Sequence, residues 1–175
     1  MSFSKRIVFS AVCITLCVVL PMAFHAIPGG GSVFLPMHIP VLLCGLICGW
    51  PFGLACGLAG PLLSSLLTGM PPAAYLPKML CELAVYGFAS GLFAKLIYTK
   101  NFFADMYISL IASMLLGRII AGILSALIFA PGKYSMAAWT TAYFVKSFPG
   151  IIIQIVLIPL IVFALEKSKL IPKRY

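Results

Sequence analysis

Long apolar runs separated by short breaks dominate the chain. Six such runs cover roughly residues 6–24, 36–49, 53–68, 74–98, 104–130 and 136–165, and a charged tail follows over residues 166–175. About 20 apolar residues in a helix match the thickness of a bilayer, and a helix satisfies its own backbone there. The pattern predicts an all-α, polytopic membrane protein with one transmembrane domain over residues 1–175. It is a six-helix bundle whose second and third helices are short.

Glycine and proline mark the breaks between the runs. The first break, residues 27–32, contains the consecutive glycines Gly29, Gly30 and Gly31 and is expected to be a loop. Its composition suits a lid over a site at that end of the bundle, and a plain connector is the alternative. Residues 50–53 are expected to form a tight turn between the second and third helices.

Composition excludes a soluble domain, and the distribution of charge predicts a topology. Only 9% of the residues are charged and 63% are hydrophobic, whereas soluble domains carry about a quarter charged residues. The net charge of +9 does not indicate nucleic-acid binding, because the basic residues flank apolar runs instead of forming one polar face.

The basic residues are distributed unequally between the two sides of the predicted membrane. Eight fall on one side and two, Lys78 and Lys133, on the other. The positive-inside rule then places both termini in the cytoplasm. The eight are Lys5, Arg6, Lys95, Lys100, Lys167, Lys169, Lys173 and Arg174.

Three ionisable residues fall within separate apolar runs. Glu82 lies ~12 Å down the fourth run, Lys146 ~15 Å down the sixth, and Arg118 near the middle of the fifth, at 1.5 Å per helical residue. Charged side chains avoid lipid, so the three are expected to meet inside the bundle. A structural ion pair is one interpretation. Two cations against one anion favour an anionic ligand as another, and a neutral polar ligand is a third.

Four more side chains are candidates for a ligand site. His38 begins the second helix, where it either caps the helix end or contacts a ligand. Tyr86 and Tyr143 lie deep enough to stack on a flat ligand. Trp139 is also a candidate, although an interfacial aromatic belt explains it equally well.

The sequence carries no sign of catalysis or of a metal site. Its acidic residues are Glu82, Asp105 and Glu166, and the last two are expected at the cytoplasmic surface. The common hydrolase and phosphate-binding motifs are absent, so any ATP must be hydrolysed by another subunit, and no cofactor is expected in this chain. The cysteines are expected to be reduced, packed thiols: Cys13, Cys17, Cys44, Cys48, Cys56 and Cys81.

Several segments resemble a known family. They are PMHIPVLLCG at residues 36–45, GWPFG at 49–53, GPLLSSLL at 60–67 and ELAVYG at 82–87. Together with six helices and cytoplasmic termini, they are similar to the substrate-binding S component of an energy-coupling factor (ECF) transporter. The similarity extends over nearly the whole chain.

That resemblance implies a function and partners. It implies a binder of a vitamin or related micronutrient in the bacterial cytoplasmic membrane, working with a transmembrane coupling subunit and two cytoplasmic ATPases. A small-xxx-small pattern on the first helix contacts the coupling subunit in the family, and Ala11 and Thr15 occupy it here, although alanine is usual at both positions. The loaded bundle would topple within the membrane. A stand-alone carrier or channel, and an assembly subunit that binds no ligand, are the alternatives.

Overall fold

The computed structural model describes residues 1–24, 27, 29–132 and 134–172, and over these residues the fold is all-helical. Six helical segments are long and apolar enough to cross a membrane, which confirms the predicted six-helix polytopic fold. The helices are α1 (Phe3–Ala23), α2 (Gly30–Phe34), α3 (His38–Cys48), α4 (Trp50–Thr68), α5 (Leu76–Leu96), α6 (Phe102–Leu124), α7 (Met136–Thr140) and α8 (Phe148–Lys167).

Two wider, π-helical turns interrupt the α-helices. The first π-helical turn, Ser125–Phe129, continues α6, and the second, Thr141–Lys146, joins α7 to α8. The second crossing is broken differently, because α2 and α3 are separate helices with left-handed Leu35 between them (φ 52°). Breaks of this kind re-aim the side chains that follow them, and π-helical turns occur frequently at functional sites.

The structure corrects two expected loop regions. Residues 30–34 form helix α2 and not a loop, and only Gly29 adopts the left-handed conformation (φ 73°) before it. The turn expected at 50–53 lies one residue earlier, at Gly49 (φ 93°), because Trp50 and Pro51 already begin α4. Proline suits the first turn of a helix, where its missing N–H is not needed. Helix α4 is therefore 19 residues long and is not short as predicted.

Glycines hold the centre of the bundle together. A Cβ atom on Gly87 of α5 would collide with the backbone carbonyl of Gly53 on α4, and the reverse is also true. A Cβ on Gly45 of α3 would collide with the Ser90 hydroxyl on α5. The backbones of α3, α4 and α5 therefore pack at distances that only glycine permits, as small residues allow in membrane helices.

Met1 and Pro172, the first and last described residues, lie at the same end of the bundle, here called the terminal end. Met1 and Lys5 line a cavity of about 460 Å³ there together with Glu166 and Lys169. Which side of the membrane this end faces stays a prediction. Of the ten basic residues counted for it, Lys133, Lys173 and Arg174 lie outside the described residues.

Asp105 differs from the expectation at this end of the molecule. It is fully buried at the start of α6 and not at the surface, and its Oδ1 accepts hydrogen bonds from the Thr99 amide and hydroxyl, both at 2.7 Å. The carboxylate therefore fixes the connection between α5 and α6.

Candidate functional site

A group of polar side chains collects inside the opposite end of the bundle, here called the distal end. Glu82 lies six residues into α5 and Arg118 six residues before the end of α6. At 1.5 Å per residue, Glu82 therefore lies ~9 Å from the start of α5, and Arg118 lies deeper, because the π-helical turn Ser125–Phe129 continues α6 towards the distal end. His38 begins α3 at the same end, and Tyr143 reaches it from the second π-helical turn. Five residues form what we call the distal cluster: His38, Glu82, Tyr86, Arg118 and Tyr143.

The Glu82 carboxylate is the centre of this cluster. It is 9% exposed, and its Oε1 lies 3.3 Å from Nε2 of His38. Its Oε2 accepts a hydrogen bond of 3.1 Å from the Tyr143 hydroxyl. Both carboxylate oxygens are thus held by side chains from other segments of the chain. A buried carboxylate needs such partners, because burial without them is strongly unfavourable.

Tyr86 forms the floor beneath that carboxylate. It lies one helical turn further along α5, is 1% exposed, and meets the His38 ring edge-on with 5.0 Å between ring centroids. A Cβ on Gly117 would lie 3.0 Å from three atoms of the Tyr86 ring, so the ring lies directly against bare backbone of α6. Glycine at position 117 therefore leaves space for the Tyr86 ring inside the bundle.

Arg118 is buried without a carboxylate partner among the described residues. It is 3% exposed, and its guanidinium lies 5.5 Å from the centroid of the Phe144 ring, a cation–π contact. The Trp139 indole N–H donates a hydrogen bond of 3.0 Å to the backbone carbonyl of Arg118. The indole lies where a Cβ on Gly122 would collide with it, so glycine at 122 admits Trp139 against α6.

Lys146 departs from the sequence-based expectation. It is exposed at the end of the second π-helical turn and is not buried beside Glu82. A different lysine approaches the cluster. Lys78, half-buried, places its ammonium 5.4 Å from the ring centroid of Tyr143 and 5.5 Å from that of Tyr134. Lys78 and Glu82 are four residues apart on α5 and so share a helix face, a signal that the sequence contains.

Several buried polar atoms of the cluster have no hydrogen-bond partner within the described part of the protein. They are Nδ1 of His38, the hydroxyl of Tyr86 and Nε of Arg118. The side-chain amide of Gln154, which is buried on α8, also has no hydrogen-bond partner there. Buried polar groups are almost always paired, so the unpaired atoms of this cluster indicate a site that something else completes.

The glycines of the expected lid lie beside the start of α8. Gly29 and Gly31 are exposed, while Gly30 is buried. A Cβ on Gly150 would lie 2.7 Å from the Val33 carbonyl of α2, so α2 is in direct contact with α8. Gly150 is three residues after Ser147, which follows the π-helical turn that carries Tyr143. The contact therefore holds α2 close to that turn. Its role as a lid stays a prediction.

Ala11 and Thr15 lie together on an exposed strip of α1. The Thr15 hydroxyl donates to the Ala11 carbonyl at 2.9 Å, so its polar atom is satisfied within the helix. Exposed valines, among them Val8, Val12 and Val19, lie on the same helix. The strip is therefore smooth and apolar despite the threonine.

The remaining chemistry of the described residues is modest. They contain no group of three or more histidine, cysteine or acidic side chains that could hold a metal ion. A second cavity, of about 360 Å³, is lined by Trp139, whose indole donates to the Arg118 carbonyl. Its other walls are mostly apolar and include Ile119, Ile123 and Tyr134.

Comparison with known proteins identifies the family. A family model described as "ECF transporter, substrate-specific component" matches residues 5–162. No curated protein and no solved structure matches the chain. The match covers α1 to α7 and most of α8, and it includes every member of the distal cluster. The chain belongs to the family of substrate-specific components of ECF transporters.

Proposed function

We propose that this protein captures a vitamin or related micronutrient at its distal end, for import across the bacterial cytoplasmic membrane. The distal end then faces outward and both termini face the cytoplasm, as the basic residues Lys5, Arg6, Lys167 and Lys169 favour. The chain itself binds, and ATPase subunits on other chains supply the energy. Family membership supports the role of a substrate-specific subunit within such a transporter.

The observation that carries the proposal is the arrangement around Glu82. Its carboxylate is held by His38 at 3.3 Å and Tyr143 at 3.1 Å, from two other segments of the chain. Polar side chains are costly inside a membrane and usually mark a binding or transport path. His38, Tyr86 and Arg118 of the same cluster have unpaired polar atoms, and a ligand would satisfy them.

The strip on α1 supports docking of a coupling subunit. Ala11 and Thr15 are exposed, and the 18-residue apolar window of α1 is only 17% buried within this chain. Small side chains let another helix approach closely in a membrane. We propose that this face contacts the transmembrane coupling subunit and that capture at the distal end is coupled to movement of the bundle within the membrane.

Reconstituted transport separates this function from that of a stand-alone carrier. Liposomes that contain this chain alone, or this chain with its coupling subunit and ATPases, are loaded with ATP and supplied with a panel of labelled vitamins. We expect uptake of one vitamin only in the complete complex, and its loss when the ATPases are inactivated. Uptake by the chain alone would contradict the proposal.

A further inference from the structure

Lys78 lies beside the distal cluster and contacts two separate parts of the chain. It is the third residue of α5, and its ammonium contacts the faces of Tyr134, in the connection before α7, and Tyr143, in the second π-helical turn. Burial raises the pKa of the Tyr134 hydroxyl, so that ring stays neutral and interacts with Lys78 through its π face. Lys78 is therefore positioned by aromatic rings and not by a counter-ion.

Arg118 meets the same π-helical turn from another helix. Its guanidinium contacts Phe144, the residue next to the Tyr143 that Lys78 contacts. Two cations, from α5 and α6, thus flank one short segment of the chain. Each cation contacts an aromatic face. This interaction is weaker than a direct ion pair, so a ligand that forms an ion pair can replace it.

The charges at the distal end do not balance. The three acidic residues of the chain are Glu82, Asp105 and Glu166, and the last two lie at the terminal end. Glu82 already has His38 and Tyr143 as partners, and neither Lys78 nor Arg118 has a carboxylate within 4.0 Å in the described part of the chain. Two cations therefore share the distal end with one engaged carboxylate.

The hydrogen-bonding atoms of the two cations have the same bias. Nε of Arg118 is a donor only, and the Lys78 ammonium offers three donors and no acceptor. The Tyr86 hydroxyl can also donate. A partner for this set must supply acceptor oxygens and negative charge, which a carboxylate or a phosphate does.

From these observations we infer that the captured molecule is an anion, and that Lys78 and Arg118 are the two residues that select its carboxylate or phosphate group. This inference rests on the proposed function and names the substrate class of the same site. Lys78 is then the second cation of the site, the role that the sequence pattern predicts for Lys146. Since Lys146 is exposed, it makes no contribution.

The test uses purified protein and pairs of probes that differ in charge. The probes are nicotinate with nicotinamide, pantothenate with its neutral alcohol, and pyridoxal phosphate with pyridoxal, together with any small molecule that co-purifies and is identified by mass spectrometry. Equilibrium binding is measured for the wild type, Lys78→Met, Lys78→Arg and Lys146→Met. Size-exclusion chromatography verifies that each variant is folded.

We expect an anion to bind better than its neutral counterpart. Lys78→Met should weaken anion binding about tenfold to a hundredfold, since a hydrogen bond to a charged group is lost. Lys78→Arg should retain most of the affinity, Lys146→Met should match the wild type, and salt should weaken binding less in Lys78→Met than in the wild type. The preferred pair distinguishes a carboxylate from a phosphate.

Two results would overturn the inference, and they differ in what they leave standing. If a neutral molecule binds best and Lys78→Met has no effect, the anion assignment fails while capture at the distal end survives. If no molecule binds the wild type, both the inference and the proposed function fail. Equal losses in Lys78→Met and Lys146→Met would also contradict the assignment, because Lys146 lies outside the cluster.

Discussion

Glu82 shows how one residue organises the distal end. Its carboxylate sits in a membrane-spanning helix and depends on His38 and on the hydroxyl of Tyr143, which donates to it at 3.1 Å. Hydrogen bonds to charged groups contribute about 1.5–3 kcal/mol, more than those between neutral groups. The π-helical turn that carries Tyr143 is therefore bound to α5 through this carboxylate, in addition to the contact of Lys78 with the Tyr143 ring.

Tyr143→Phe tests that tie. The substitution keeps the ring but removes one of the hydrogen bonds to a buried carboxylate, and it should lower the free energy of unfolding by about 1–3 kcal/mol. Chemical unfolding in detergent measures the change. Tyr75→Phe is the control, since Tyr75 is 67% exposed and its loss should change stability by less than about 0.5 kcal/mol. Equal effects of the two substitutions would contradict the role given to Tyr143.

The sequence predicts how deep in the bundle Glu82 and Arg118 lie more readily than it predicts where the side chains of the lysines lie. Burial of Glu82 and Arg118 follows from the cost of charge in lipid, and both are buried. Lys146 is expected deep in the sixth run, but that crossing begins only at Phe148, after the π-helical turn Thr141–Lys146, so Lys146 lies before the crossing and is exposed. Lys78 looks like a membrane-edge topology signal. Its spacing from Glu82 places both on one face of α5, and the contacts with Tyr134 and Tyr143 show that it lies close to the cluster.

At the scale of elements, α4 and α5 pack backbone against backbone. Gly53 and Gly87 face each other so closely that a Cβ on either would collide with the other residue's carbonyl. This contact fixes α5, which carries Lys78, Glu82 and Tyr86. Packing of this kind provides much of the attraction between helices in a membrane, because lipid offers no hydrophobic drive for their association.

Gly87→Ala should therefore destabilise the bundle by about 1–3 kcal/mol, as overpacking does in a close-packed core. Thermal unfolding in detergent micelles measures this. Gly31→Ala is the matched control, because a Cβ at Gly31 meets nothing within 4 Å and alanine favours the helix α2 that it occupies. We expect that control to be neutral or slightly stabilising. A Gly87→Ala protein as stable as the wild type would show that α4 and α5 are not in backbone contact.

Apolar run length predicts the helices well, and their interruptions are harder to predict. The break between α2 and α3 and the two π-helical turns depend on tertiary contacts, such as the approach of Val33 to Gly150. The glycines at 29–31 indicate a loop by composition, yet residues 30–34 are helical because α8 packs against them. Local propensity is a weak guide where packing decides.

Across the whole molecule, buried polar side chains collect at the distal end and basic residues at the terminal end. The distal cluster and the terminal end lie on opposite sides of six crossings, and the positive-inside rule assigns the terminal end to the cytoplasm. Capture from outside requires this orientation, since the distal cluster must then open to the exterior. Topology is therefore a condition of the proposed function.

Reporter fusions test the orientation. A green fluorescent protein fused after residue 172 should fluoresce, and alkaline phosphatase fused there should be inactive. The same reporters inserted after Gly132, in the connection between α6 and α7, should behave in the opposite way. Active phosphatase at the C-terminal fusion would place the distal cluster inside the cell and contradict capture from outside.

The central claim is that the buried charges of the distal cluster serve a ligand and not the stability of the bundle. Ligand binding and unfolding of Arg118→Met, measured side by side in detergent, test it most directly. We expect the wild type to bind one small molecule and Arg118→Met to lose at least about tenfold in affinity with little loss of stability, since a buried cation without a carboxylate partner is being removed. A wild type that binds nothing, together with an Arg118→Met protein destabilised by about 3–5 kcal/mol, would identify a structural ion cluster and contradict the account.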